Sequence, residues 1–118
     1  MRRPSLSFVE VRSIDLGQIR KRVDEYATGL LRCRPEVEEI VVFGSFADGS
    51  YAPGSDLDVF LLLSESEKDV WDRVPDYLPG AFPVGIDLFP YTLREIESLR
   101  PSSLLDAVDA SDWRYRRD

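Results

Sequence analysis

The sequence contains no histidine and one cysteine, Cys33. The absence of histidine excludes catalytic triads that depend on imidazole, and a single thiol excludes intrachain disulfides and zinc sites built from cysteine and histidine. A metal ion in this chain must therefore be held by oxygen ligands, which are the ligands that Mg²⁺ prefers. We expect Cys33 to be a packing residue.

The chain also lacks a long apolar segment and an excess of positive charge. No run approaches the roughly 20 apolar residues that a helix needs to cross a bilayer, and no apolar core of a secretory signal follows Met1–Pro4. We therefore expect a cytoplasmic protein without membrane contact. Because the net charge is -7, the basic stripe with which proteins grip long nucleic acids is not expected, and neither is a nucleic-acid partner.

There is no room for a second substrate-binding domain. The 118 residues fit one domain, because compact domains typically hold roughly 100–150 residues, and we assign residues 1–118 to it. We expect residues 1–14 to form an extended arm or an edge strand. After Asp15, which is suited to be an N-cap, apolar residues at helical spacing predict a long helix that ends before Pro35.

Short apolar segments and helical patterns alternate in the remaining sequence. The predicted strands cover residues 36–43, 56–64 and 84–91, with an edge strand at 113–117 whose arginines face water. The first predicted helix is capped by Ser64 or Ser66 and carries Val70, Trp71 and Val74, and Pro75 should kink or stop it. A second helix is opened by a Thr92–Glu95 capping box, and a third lies near 103–110. This order predicts an α+β fold in which a small mixed sheet packs against helices.

The residues with the clearest chemical meaning lie at the ends of these strands. Gly44 and Ser45 follow the first strand, where the backbone N–H groups of a short helical turn can contact an anion. Asp56 and Asp58 open the second strand, and residues two apart on a strand point the same way, so both carboxylates can converge on bound ions. Asp87 is the one acid in the third strand, where an unpaired charge among apolar residues is costly unless it pairs or binds metal.

Taken separately, these pieces have ordinary structural explanations. A Gly-Ser turn is usually only a turn, and Asp-x-Asp at the start of a strand is usually solvated. The combination is more specific: Gly-Ser, ten intervening residues, Asp-x-Asp and a further Asp in the next strand. This pattern resembles that of the DNA polymerase β-like nucleotidyltransferase superfamily. In length the chain is similar to the minimal nucleotidyltransferases of that superfamily, which are often antitoxins beside HEPN-domain toxins.

The resemblance implies an enzyme that moves a nucleoside monophosphate, expected to be AMP from ATP, to a hydroxyl acceptor. Gly44 and Ser45 would bind the β- and γ-phosphates, and Asp56 and Asp58 would bind two Mg²⁺ ions. Asp87 would complete the metal site and help remove the proton of the attacking hydroxyl. The expected acceptor is a partner protein such as a HEPN-domain toxin, and a homo-oligomer is also compatible with the sequence.

One position departs from the resemblance. Many relatives carry a basic residue in the turn after Gly-Ser, whereas this chain has Asp48, so a cation for the triphosphate would have to come from Arg94, from another chain, or not at all. The departure keeps open a non-catalytic antitoxin or binding module that neutralises its partner by contact. Transfer to a small molecule is a weaker alternative because a helical acceptor domain is missing, and polymerase activity is the least expected.

Overall fold

The structure is a computed structural model that describes residues 14–117. Within this range the elements are, in order, α1 (Leu16–Cys33), β1 (Val37–Phe43), α2 (Ser45–Asp48), β2 (Leu57–Leu63), α3 (Val70–Tyr77), β3 (Ile86–Thr92), α4 (Leu93–Leu99), α5 (Ser103–Ala110) and β4 (Trp113–Arg116). The predicted arm or edge strand over residues 1–14 lies, except for Ile14, outside the described residues. No helix of the described range is long and apolar enough to cross a membrane.

The four strands form one mixed sheet in the order β3-β2-β1-β4. β1 is antiparallel to both β2 and β4, whereas β2 and β3 are parallel. Parallel neighbours cannot be joined by a tight hairpin, and the connection from β2 to β3 accordingly runs through α3. The end of β1 and the starts of β2, β3 and β4 meet at one end of the sheet. The predicted α+β fold with a small mixed sheet is confirmed.

Helices cover both faces of the sheet. On the first face α1 packs against β1 and β4, and α3 packs against β3. The buried residues of this face include Ile19, Val23, Ala27, Leu57, Val59, Leu61, Leu63 and Tyr77. The prediction that the four alternate apolar residues of β2 share one face is therefore confirmed. On the second face α5 packs against the sheet, and the buried residues there are Val41, Phe43, Phe60, Leu105 and Val108.

The caps of α1 and α4 follow the sequence prediction, whereas the start of α3 does not. Asp15 accepts a hydrogen bond from the Gln18 backbone N–H, and Thr92 and Glu95 form a reciprocal capping box. Ser64 is not a helix cap, because its N–H still donates to the Glu36 carbonyl beside β2, and Ser66 caps a turn by accepting from the Lys68 N–H.

The N-cap of α3 is Asp69, and Pro75 lies inside the helix. A proline two residues before the last helical residue costs one backbone hydrogen bond, and α3 continues past it to Tyr77. Of the two effects expected of Pro75, stopping the helix is wrong, whereas a kink stays a prediction. Trp71 was expected among the apolar residues of this helix, but its side chain is 82% exposed.

Two smaller expectations are also corrected by the structure. Arg114 in β4 does not face water, because it is half-buried and donates to the carbonyls of Ser111 and Val108 and to Glu39. Arg116 is exposed, as predicted, and its guanidinium also contacts Glu39. Cys33 is exposed at the last position of α1 and is not a packing residue.

Candidate functional site

Gly44 and Ser45 form the turn between β1 and α2. Gly44 is the N-cap of α2 and has φ 78° and ψ -150°, a conformation that residues with a Cβ rarely adopt. Its carbonyl accepts hydrogen bonds from the N–H groups of Ala47 and Asp48, each at 3.0 Å. The predicted short helical turn is therefore present. Its first N–H groups have no partner within the helix, which is the usual condition at a helix start.

The three predicted acids lie at the same end of the sheet as this turn. Asp58 in β2 pairs in register with Asp87 in β3, so their Cα atoms lie on adjacent strands roughly 4.8 Å apart and their side chains leave the same face. Asp58 also pairs with Phe43, the residue before Gly44. Asp56 precedes β2 by one residue. The strand order thus brings together positions far apart in sequence.

Two glycines leave space for two of these carboxylates. A Cβ placed on Gly44 would lie less than 3.0 Å from the Asp58 carboxylate, and a Cβ on Gly85 would lie equally close to the Asp56 carboxylate. Such distances are essentially never found for real Cβ atoms. Larger side chains at either position would therefore displace an acid.

The pKa of Asp58 responds to both of the other acids. The pKa of Asp58 is raised above its ordinary value, first by partial burial and then by the negative charges of Asp87 and Asp56. Ionised Asp58 is thus disfavoured by its surroundings, and a cation among the three acids would relieve that repulsion.

The acids fit a divalent cation in donor type, and their backbone positions lie at one end of the sheet. Carboxylate oxygens are the ligands that Mg²⁺ prefers, and all three belong to one sheet end. Within residues 14–117 no three His, Cys, Asp or Glu side chains converge closely enough to hold a metal ion as they stand. Asp56 and Asp87 are exposed, so their side chains are free to turn towards Asp58.

A cavity of about 360 Å³ opens beside the Gly-Ser turn, where α1, α2, α5 and β4 meet. It is lined by Gly44, Asp48 and Arg20, among others. The Asp48 carboxylate accepts hydrogen bonds from the N–H and hydroxyl of Ser50, which lower its pKa, so it stays ionised. The Arg20 guanidinium lies 4.0 Å from the centre of the Trp113 ring, a cation–π contact.

Arg20 is the residue that sequence reasoning missed. Arg94, suggested as the missing cation, follows the far end of β3, and the strand from Asp87 to Thr92 spans roughly 17 Å. Arg20 instead comes from α1 and is the cation that lines the cavity at Gly44. Its place depends on how α1 packs across β1 and β4, so the sequence around it carries no signal for this role.

We expect Gly44→Ala to destabilise the protein more than Gly49→Ala. Gly49 has the left-handed helical conformation, which costs a residue with a Cβ roughly 1–2 kcal/mol, whereas Gly44 at φ 78° and ψ -150° lies in a region essentially restricted to glycine, at a cost of about 1–3 kcal/mol. A Cβ at Gly49 meets nothing within 4 Å, whereas one at Gly44 meets Asp58, which adds about 1–3 kcal/mol of overpacking. Urea unfolding measures both losses.

A double variant separates the two contributions. Combining Gly44→Ala with Asp58→Ala should recover the part of the loss that crowding causes, because the crowded carboxylate is gone, whereas the backbone cost remains. Equal losses for the two glycine variants would show that the approach to Asp58 has no energetic cost.

Known proteins resemble this chain in sequence and in fold. A family model described as a nucleotidyltransferase domain matches residues 16–108, a range that contains Gly44, Ser45, Asp56, Asp58 and Asp87. The fold is similar to a crystal structure of a protein from Sulfolobus solfataricus that is provisionally described as a nucleotidyltransferase. The two structures align with a TM-score of 0.56 and 22% sequence identity. The alignment covers 93% of this chain and 85% of that chain. At this identity the likeness shows the fold, and no curated protein sequence matches the chain significantly.

Proposed function

The chain belongs to the family of nucleotidyltransferase domains, and we propose that it transfers AMP from ATP to a hydroxyl group of a partner protein. The observation that carries this proposal is the meeting of the Gly44–Ser45 turn with Asp56, Asp58 and Asp87 at one end of the sheet. The Gly44–Ser45 turn is suited to bind an anion, and the three acids are suited to bind cations. Nucleotidyl transfer needs both within a few ångströms of the reacting phosphorus.

In the proposed reaction the acceptor oxygen attacks the α-phosphorus of the NTP. The bond from that phosphorus to the bridging oxygen breaks, pyrophosphate leaves, and the hydroxyl proton is lost towards Asp87 or solvent. The backbone N–H groups at the start of α2 and the Ser45 hydroxyl would hold the β- and γ-phosphates. This division of roles is mainly positioning and charge neutralisation, which dominate catalysis of phosphoryl transfer.

Asp56, Asp58 and Asp87 are the residues that would hold two Mg²⁺ ions. When bound, such ions supply positive charge that activates the attacking oxygen and stabilises the leaving phosphate. The raised pKa of Asp58 supports this assignment, because a cation beside Asp58 would offset the negative charges of Asp87 and Asp56. Carboxylate oxygens are also the ligands that Mg²⁺ prefers, and the sequence contains no histidine that could bind a softer metal ion.

We propose a HEPN-domain protein of the cytoplasm as the acceptor. The support is the resemblance of the sequence to minimal nucleotidyltransferases, and the single domain of residues 14–117, which holds no separate acceptor-binding unit.

Two labelled nucleotides test the reaction. With Mg²⁺ and the HEPN-domain protein, label in the α-phosphate of ATP should appear on the partner, whereas label in the γ-phosphate should not. Transfer of the γ-label would identify a kinase instead, and equal absence of both labels would contradict the proposed acceptor.

A second function, neutralisation by contact without catalysis, is favoured by Asp48. Its carboxylate lines the cavity beside Gly44 and stays ionised, which opposes binding of a triphosphate there. A variant with Asp56, Asp58 and Asp87 all replaced by asparagine separates the two functions. If it still neutralises the partner at equal molar amounts, contact is sufficient.

We expect Arg20→Gln to weaken ATP binding roughly tenfold, because a charge-assisted contact to phosphate contributes about 1.5–3 kcal/mol. Arg20 and Gly44 line the same cavity, so the triphosphate would meet this guanidinium beyond the Gly-Ser turn. Thermal-shift titration with Mg²⁺ and ATP measures the affinity, with each variant compared with its own nucleotide-free form.

Arg32→Gln is the matched control for this prediction. Arg32 belongs to the last turn of the same helix, roughly 18 Å from Arg20 along its axis. If both variants bind ATP with the same affinity, Arg20 does not contact the nucleotide.

A further inference from the structure

An apolar groove lies along the outer edge of the sheet, directly beside Asp87. Its volume is about 400 Å³ and its lining residues are Trp71, Val74, Pro75, Leu78, Ile86, Asp87, Leu88 and Phe89. Trp71 is 82% exposed and Leu78 45% exposed. Exposed large apolar side chains gathered in one groove usually mark an interaction surface.

The β3 edge also offers backbone groups for pairing. β3 is an edge strand, and the Gly85 carbonyl points inward to the Leu57 N–H, so by alternation the N–H and C=O groups of Ile86 and Leu88 point outward. Pro90, next in this outward series, has no N–H, and its carbonyl accepts from Arg73 at 2.9 Å. The open part of the edge is therefore short and begins beside Asp87.

Charge decides between the possible occupants of the groove. Asp87 is the one charged residue among those that line it, and the whole chain carries a net charge of -7. A second copy would bring another seven negative charges and, in a symmetric edge-to-edge pairing, a second Asp87 close to the first. A basic polypeptide is attracted instead.

We propose that the acceptor binds here as an extended, basic polypeptide segment that pairs with Ile86 and Leu88 and inserts an apolar side chain between Trp71 and Leu78. This mode of binding is strand addition to an open sheet edge. It places a hydroxyl of the same segment beside Asp87, the acid assigned above to the attacking group. The inference rests on the proposed function and defines the class of its acceptor.

Random copolymers of lysine with tyrosine and of glutamate with tyrosine test this proposal as acceptors. With α-labelled ATP and Mg²⁺, the basic copolymer should be labelled and the acidic one should not. Trp71→Ala should raise the KM for the basic copolymer about tenfold and leave kcat and the thermal shift with ATP unchanged. Leu78→Ala should act in the same direction.

Leu93→Ala is the matched control, because Leu93 is also a helical residue with a large apolar side chain, 51% exposed, and lies outside the groove. Equal KM values for Trp71→Ala and Leu93→Ala would overturn the proposal, as would equal labelling of both copolymers. Labelling of neither copolymer would also overturn it, whereas α-label on the HEPN-domain protein would still support the proposed function. A dimer in sedimentation that Trp71→Ala abolishes would assign the groove to a second copy instead.

Discussion

Replacing Asp58 by asparagine is expected to lower AMP transfer roughly 10³-fold, the scale on which removal of one group that stabilises the transition state acts. Asp58 is the central acid of the site, since it pairs with Asp87, faces Gly44 and is followed by the buried core of β2. Asparagine keeps its size but removes the charge that a metal ion requires.

The same substitution should leave the protein at least as stable as the wild type. Partial burial and two neighbouring acids raise the pKa of Asp58, so its ionised form lowers the stability of the folded protein at neutral pH. Asparagine removes that repulsion. Transfer of α-label measures activity and thermal unfolding measures stability.

Asp106→Asn, at an exposed position of α5, is the control. Full activity of Asp58→Asn would show that Asp58 takes no part in the reaction. A large loss of stability would mean that the variant is inactive because it unfolds.

A large loss of stability is also expected from Glu95→Ala. Arg73 is 3% exposed, and its guanidinium contacts both carboxylate oxygens of Glu95, at 2.7 and 2.8 Å. Removing Glu95 leaves a buried cation with carbonyl partners alone. Breaking a buried pair costs about 3–5 kcal/mol, and because the Glu95 side chain is 36% exposed we expect about 2–3 kcal/mol.

This loss should appear as a fall in Tm of roughly 10 °C at neutral pH. The exposed Glu97 of the same helix provides the control variant, Glu97→Ala, which should fall within about 0.5 kcal/mol of the wild type. Similar effects of the two substitutions would contradict the importance of the pair with Arg73.

The effect of Glu95→Ala should also depend on pH in a defined direction. The contact with Arg73, together with the bond from the Thr92 N–H, lowers the pKa of Glu95 from 4.5 to about 2. A lowered pKa in the folded state means that the stabilisation is fully present above about pH 4.5 and is lost as the pH falls towards 2. The difference between wild type and variant should therefore shrink over that interval in acid unfolding experiments.

Local signals explain the parts of the fold that the sequence predicts well. The Asp15 cap, the Thr92–Glu95 box and the alternation in β2 each depend on residues a few positions apart. The candidate site residues were also indicated by their spacing, because Gly44, Ser45, Asp56 and Asp58 lie in one short segment and Asp87 lies near the start of the next strand. Their roles stay predictions.

Features that depend on distant elements were not predictable in this way. Arg73 in α3 pairs with Glu95 in α4, a helix that begins after β3. Because this contact joins distant elements, the sequence around α3 did not indicate it. Arg20 reaches the cavity at Gly44 only because α1 packs across β1 and β4. Trp71 follows the helical pattern of a buried residue, but it lies on the side of α3 that overhangs the sheet edge.

Gly44 and Gly85, which leave space for the carboxylates, have a consequence for how this protein can change. Because the two positions beside Asp58 and Asp56 carry no side chains, little at the centre of the site can distinguish one substrate from another. The residues proposed to do so, Arg20 and Trp71, belong to helices that contribute none of the three site acids. New partners can therefore be selected by substitutions in α1 and α3, while the strands that hold the reaction centre stay unaltered.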